Sequence, residues 1–222
     1  MAAEKLLNAQ NVSIQFFEAI EAHNLIVAGK SEQQLNAEVC DCAQKDFGIT
    51  THWHKKIVRA GKNTLAIYPD NPPDRIIEDD DILFIDLGPI VEGYEADIGR
   101  TYVLGNHPHK QKLKADTEKA WYQVQAWCRQ QTSLPASALF EYVVETARQS
   151  GWEFGGAIAG HIVGKFPHEQ PADPNSLELD IHPDNHNDMF LPDASGNKRH
   201  WILELQFIDR EKQIGAYFEQ LL

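Results

Sequence analysis

This chain is short of cysteine, of basic charge and of long apolar runs, and each shortage excludes something. Only three cysteines stand among 222 residues. Their odd number and the lack of paired zinc-knuckle spacing argue against a disulfide scaffold or a thiolate metal site. Cys40 and Cys42 fall in a helical stretch, where C-x-C spacing turns them to different faces. Together with Cys128 they are expected to be reduced thiols of a cytoplasmic protein. No run of 18 apolar residues occurs, and the opening MAAEKLLNAQ lacks the cationic-then-apolar order of a signal segment, so no membrane partner is expected. Twenty Lys and Arg face 33 Asp and Glu, for a net charge of −13. Such a surface repels phosphate backbones and anionic lipid, which argues against nucleic acid as a partner.

The remainder, 42% apolar and 24% charged, is that of an ordinary globular domain. One domain over 1–222 is expected, with the helices of 1–48 as part of it. Leu7, Ile14, Phe17, Ile20 and Ala28 lie on one helical stripe over 4–28, stopped at Gly29. Ser31 and Gln34 have capping-box spacing and open a helix over 32–47 that ends at Gly48. KKIVRA and TLAIY read as short strands around the turn Gly61-Lys62-Asn63. ILFIDLG reads as a buried strand, and VEGYEADIGRTYVLG as another strand or two. Helices are expected over 110–131 and 136–150, a strand over 157–164 and a polar loop over 172–199. A hairpin around Arg210-Glu211-Lys212 joins 200–208 to 214–221. Helices grouped between strand pairs predict an α+β fold.

Acids and a histidine interrupt these strands where apolar residues belong: Asp86, Asp97, His161, Glu204 and Glu219. Burying one ionised carboxylate without a partner is prohibitive. Burying four beside an imidazole makes sense where cations offset the charge. A hairpin centred between Val91 and Glu92 would put Asp86 opposite Asp97, Cβ atoms about 4.5–5.5 Å apart, where a shared cation reverses the repulsion of like charges. Taken singly the others are weak signals. His161, between glycines, and His168, in PHEQP, have the composition of core or loop histidines. Glu204 shares one strand face with Ile202 and Gln206, as in a half-solvated strand, and Glu219 reads equally well as a solvated terminal residue. His107, His109, His182 and His186 lie in polar loops and read as solvated. The acidic stretch 173–193 lacks EF-hand spacing and is expected to line the pocket mouth or a subunit contact, the latter in a homodimer.

Taken together, the segments DLGPIVEGYEADIGRTYVLG, GHIVGKFPHEQP, WILELQF and AYFEQL resemble the methionine aminopeptidase, aminopeptidase P, prolidase and creatinase superfamily. The resemblance covers roughly residues 50–222. It implies a pita-bread fold, with a curved mixed or antiparallel sheet and helices on its outer face, and it implies two divalent metal ions. Asp86 would hold one metal, Asp97 and Glu219 would bridge, and His161 and Glu204 would complete the second. His168 would reach the scissile carbonyl, Glu204 would shuttle the proton, and Arg100 would sit near the site as an anion-binding or supporting group. The donor set suits Mn²⁺, Co²⁺, Fe²⁺ or Zn²⁺. The expected reaction is hydrolysis of an N-terminal or dipeptide amide bond by metal-bound hydroxide, with a peptide or small amide as substrate.

The chain departs from the superfamily in three ways. No histidine stands on the loop after the Gly61-Lys62-Asn63 turn, where Tyr68 or Asp70 takes its neighbourhood and Tyr68 becomes the expected substrate contact. His52 and His54 read as polar residues flanking a strand. The usual Glu-Pro is Glu204-Leu205 here. The separate N-terminal domain of the prolidases is not expected. Two other readings stand beside the peptidase: a non-catalytic module that binds peptide termini or a protein, and a creatinase-like hydrolase of a non-peptide C–N bond.

Overall fold

The computed structural model describes residues 2–222. Its elements in chain order are α1 (Ala2–Ala22), α2 (Glu32–Phe47), β1 (Ile57–Ala60), a 3₁₀ turn (Gly61–Leu65), β2 (Ile82–Leu87), β3 (Ile90–Val91), β4 (Tyr94–Glu95), β5 (Ile98–Val103), α3 (Pro108–Cys128), α4 (Ala136–Gln149), β6 (Glu153–Phe154), β7 (Ile162–Val163), β8 (His200–Asp209) and β9 (Ile214–Leu221). One sheet runs β1-β2-β5-β9-β8, with β6 and β7 both pairing to β8, and every pairing is antiparallel. β3 and β4 form a separate ribbon. The fold is α+β, as expected.

Side chains alternate across a strand, and here the alternation divides the sheet sharply. Val58, Ala60, Leu83, Ile85, Leu87, Ile98 and Tyr102 pack with Phe16, Phe17 and Ile20 of α1 and Leu35, Val39 and Ala43 of α2. Leu203, Leu205, Phe207, Ile214, Ala216 and Phe218 pack with Leu113, Trp121 and Val124 of α3 and Leu139 and Val143 of α4. Both clusters use the same parity across neighbouring strands, so all four helices cover one face of the sheet. The intervening residues turn to the other face: Ile57 and Arg59, Phe84 and Asp86, Gly99 and Thr101, Tyr217 and Glu219, Glu204 and Gln206.

Several expectations are corrected. α1 ends at Ala22 rather than near residue 28, and it buries Leu6, Phe16, Phe17 and Ile20 while Leu7 is exposed. TLAIY forms no strand, because the Asn63 side chain donates to both Glu32 carboxylate oxygens and to the Pro73 carbonyl, and Thr64 Oγ1 donates to the Gly61 carbonyl. The 157–164 strand shrinks to Ile162–Val163. The hairpin turn lies at Glu92-Gly93, with φ of 51° and 80°. Two consecutive positive φ values mark a turn whose twist suits a two-residue hairpin loop and which favours glycine. Asp86 therefore pairs with Gly99, and Asp97 sits diagonally across from Asp86 rather than opposite it.

α2 starts as its sequence indicates, on a reciprocal Ser31–Gln34 capping box, and stops at Gly48. Its buried first residue, Glu32, accepts the Ala60 N–H at 2.6 Å and the Asn63 amide at 2.9 Å, joining the helix to β1 and to the turn after it. Glu32→Ala leaves those donors buried without acceptors, so it should cost about 2 kcal/mol of stability. Urea unfolding monitored by circular dichroism checks this.

Candidate metal centre

Strand register lines up the acids. Ile57 pairs with Asp86, Asp86 with Gly99, Gly99 with Glu219, and Glu219 with Glu204. Adjacent strands lie about 4.8 Å apart, so Asp86, Glu219 and Glu204 form one row across the unhelical face, with a gap at Gly99. Two neighbours occupy that gap. Asp97 leans in from just before β5, and the Tyr217 ring lies where a side chain at 99 would be: a Cβ there would meet it at 2.4 Å. Tyr217 stacks on Phe84 and donates its hydroxyl to Glu204 at 2.6 Å.

His161 enters from the segment beside β8. The Ile202 and Glu204 amides donate to the carbonyls of His161 and Ala159, and a Cβ at Gly160 would meet the Ile202 carbonyl oxygen at 2.0 Å. Only glycine permits that approach. His161 Nε2 lies 3.3 Å from Asp97 Oδ2, and its Nδ1 lies 2.7 Å from the Ile162 carbonyl. On the other side, His54 Nε2 lies 3.0 Å from Asp97 Oδ1 and 3.7 Å from Asp86 Oδ1. Two donor groups result, each with atoms inside one ion's reach: His54, Asp86 and Asp97, and Asp97, His161 and Glu219. Asp97 belongs to both.

Without cations the carboxylates compete for protons and for the two imidazoles. Burial raises the Asp86 carboxyl well above its usual range, His54 opposes that, and Asp97 adds to it. Glu219 is pushed up by burial and then by Asp97, Asp86 and Glu204, and Glu204 rises by burial first. Burial disfavours the Asp97 carboxylate too, but His54 and His161 on its two sides hold it far below the ordinary range. Burial likewise disfavours both imidazolium ions, yet the facing Asp97 raises His54 and His161 to about 9. Among the described residues Glu219 Oε2 is buried with no hydrogen-bond partner. Buried Asp86, Asp97 and Glu219, half-buried Glu204, the imidazole nitrogens and one orphaned carboxylate oxygen are a donor set that fits divalent cations.

A cavity of about 360 Å³ opens over this row, with apolar walls that include Ile57, Ile67, Phe84 and Ile158. Asp86, Asp97, His161, Glu204 and Glu219 all line it, so the five residues expected as metal ligands converge. His168 lines it too. Its Nδ1 lies 3.1 Å from buried Glu95, and its ring stacks on Trp53 with centroids 4.3 Å apart. Tyr68 forms part of the rim and is 52% exposed.

Arg100 does not line the cavity, so of its two expected roles the supporting one fits its position and substrate contact does not. It stands three residues from Asp97 and so turns to the helix face. There it donates to the Gly99 and Glu219 carbonyls and to the Gln220 side chain, and lies over the Phe218 ring. Arg100 thus fastens β5 to β9, the strand that carries Glu219. His54 is the site residue that sequence reasoning missed. Its segment has no regular periodicity, and the available signal was Trp53 and a second histidine packed into four residues.

Residues 4–192 match the sequence pattern described as Metallopeptidase family M24. The match ends before β8 and β9, so Glu204 and Glu219 lie outside the matched residues. A methionine aminopeptidase of Helicobacter pylori is 30% identical over 115 residues, covering 51% of this chain and 45% of that protein. One from Aquifex aeolicus is 29% identical over 109 residues, 47% of this chain and 40% of that protein. The chain thus spans less than half the length of these curated relatives. Among solved structures, X-Pro aminopeptidase from Thermotoga maritima superposes with a TM-score of 0.76 at 22% identity, covering 98% of this chain and 56% of that one. A methionine aminopeptidase from the same organism gives 0.69 at 16% identity, covering 98% and 90%. The fold is the pita-bread fold.

Tyr217→Phe removes the hydroxyl that holds Glu204 and keeps the ring. Loss of such an outer hydrogen bond should weaken divalent-metal binding about 10-fold or more, with the far-ultraviolet spectrum unchanged. Calorimetric titration of metal-free protein with Co²⁺ measures it.

Proposed function

This chain belongs to metallopeptidase family M24, and we propose that it is a dinuclear metal-dependent peptidase that hydrolyses the amide bond after an N-terminal residue or within a dipeptide. The observation that carries the reading is the divided allegiance of Asp97. Its Oδ2 turns to His161 and its Oδ1 turns the opposite way, toward the Asp86 side. A carboxylate whose two oxygens serve two donor groups is a bridging ligand in waiting. Asp86 and Asp97 would hold one ion. Asp97, Glu219, His161 and Glu204 would hold the other. Mn²⁺, Co²⁺, Fe²⁺ and Zn²⁺ all suit these donors.

Two bound divalent ions would acidify a water and polarise the substrate carbonyl. The chain's own groups supply the rest. Glu204, raised toward neutrality by burial and steadied by Tyr217, takes a proton from the attacking water and returns it to the leaving amine. His168 is held by Glu95 through Nδ1, and with a hydrogen on Nε2 as well it would donate to the carbonyl oxygen as that oxygen gains charge. The apolar walls take up the substrate side chain and exclude water. Tyr68 stands at the mouth as a substrate contact. The three free thiols accord with a cytoplasmic location. No described helix is long and apolar enough to cross a membrane.

Asp97→Asn should abolish hydrolysis across a panel of methionyl peptides, Xaa-Pro peptides and dipeptides while leaving the circular dichroism spectrum intact. In the wild type, chelation should stop turnover, and Mn²⁺ or Co²⁺ should restore it. The thermal midpoint should rise with metal, since saturating a site at 100 times its Kd adds about 2.7 kcal/mol. Absence of both bound metal and turnover on every peptide overturns the proposal.

A further inference from the structure

We infer that His54 is a sixth metal ligand, completing the site of Asp86 and Asp97 so that each ion of the pair carries one imidazole. This rests on the dinuclear reading above and extends it to a residue outside the five expected ligands.

The tautomer of His54 points that way. Its Nδ1 lies 2.7 Å from the Lys55 carbonyl. A carbonyl oxygen only accepts, so Nδ1 carries a hydrogen, and Nε2 is the nitrogen that binds a metal when the ion displaces the proton it shares with Asp97. That nitrogen faces Asp97 Oδ1 at 3.0 Å and Asp86 Oδ1 at 3.7 Å. Donors to one ion at roughly 2.0–2.2 Å stand about 3.0–3.5 Å from one another, close to the spacing seen. His161 repeats the arrangement on the far side of Asp97. Its Nδ1 faces the carbonyl of the residue that follows it, at 2.7 Å, and its Nε2 faces Asp97 Oδ2. Two imidazoles are thus held in the same way against opposite oxygens of one carboxylate.

The place of His54 is built. Trp53 N–H donates to the Gly88 carbonyl at 2.9 Å, Ile90 N–H to the Thr51 carbonyl at 3.0 Å, and Trp53 Nε1 to the Ala96 carbonyl at 2.9 Å. These bonds strap residues 51–54 across the end of β2. A Cβ at Gly88 would lie 2.1 Å from the His54 ring, so the imidazole reaches the acids only because residue 88 has no side chain. The His54 side chain is 5% exposed. Its reactive nitrogen is turned to the acids and not to the cavity mouth, which separates it from a substrate-contact histidine. A second imidazole also softens the donor set, favouring Zn²⁺, Co²⁺ or Fe²⁺ over Mn²⁺.

Calorimetric titration of the metal-free chain with Co²⁺, read together with the visible Co²⁺ absorption, tests the assignment. Wild type should take up two ions. His54→Ala and His54→Gln should each keep one ion at wild-type affinity and weaken the other 10-fold or more, with altered absorption for that ion. Free imidazole added to His54→Ala should restore the lost absorption. His161→Ala should weaken the opposite ion. Circular dichroism and thermal midpoints of the metal-free variants establish that they are folded. Two ions bound at wild-type affinity and with wild-type absorption in both His54 variants would overturn this inference alone. Failure of the wild type to bind any ion would overturn the dinuclear reading, and this one with it.

Discussion

Mutual repulsion among four carboxylates on one buried sheet face is the constraint from which the rest of the structure follows. Asp86, Asp97, Glu204 and Glu219 share that face because antiparallel register puts residues of one parity together. Bulk water screens them poorly, since helices cover the opposite face and apolar walls rise around the row. Charge of opposite sign has to be supplied from within. Without cations, protons and two imidazoles carry that burden: Asp86, Glu204 and Glu219 are driven toward the neutral form, while Asp97 stays ionised between His54 and His161. Divalent ions would perform the same service for all four at once.

Other buried polar groups on the strands serve as clamps. Arg59 shares the row's face but donates to the carbonyls of Ala66, Ile67 and Asp70. Gln206 donates to the carbonyls of Thr64 and Ala66. Between them they hold the loop that carries Tyr68 as a fixed cavity wall. Arg100 does comparable work from the helix face, through the Glu219 carbonyl. What distinguishes the two kinds of residue is the partner. Clamps spend their hydrogen bonds on loop and strand carbonyls, whereas the acids of the row find chiefly one another and the two imidazoles.

That distinction explains what was legible beforehand. Strand parity is readable in a sequence, and a register error of two residues keeps every side chain on its face. Asp86 and Asp97 therefore shared a face whether the turn lay at Val91-Glu92 or, as found, at Glu92-Gly93. The same parity speaks against Arg100, an odd number of residues from Asp97, and resemblance to a motif outweighed that signal. Leu7 and Leu6 differ by one position on α1, too fine a distinction for a helical stripe judged from sequence. His54 was beyond reach for a different reason. No element carries it to the site. It arrives through main-chain bonds to the β2–β3 corner and through the absence of a side chain at Gly88. Such placement by loop carbonyls and by missing atoms leaves no periodic trace.

The position of His54 also bears on the missing wall histidine. Where relatives of this fold are expected to carry an imidazole after the Gly61-Lys62-Asn63 turn, this chain has Tyr68, whose ring stands edge-on to His54 with centroids 6.0 Å apart. An imidazole on the wall can donate to substrate. One on the floor, with its Nε2 turned to Asp86 and Asp97, cannot do both. Of the three histidines that line the cavity, His54 and His161 turn to the acids, and only His168 remains to meet a substrate carbonyl. Its stacking on Trp53, the neighbour of His54, couples the two. Trp53 touches both rings, so under the proposed roles it would tie the geometry of ion binding to that of carbonyl recognition.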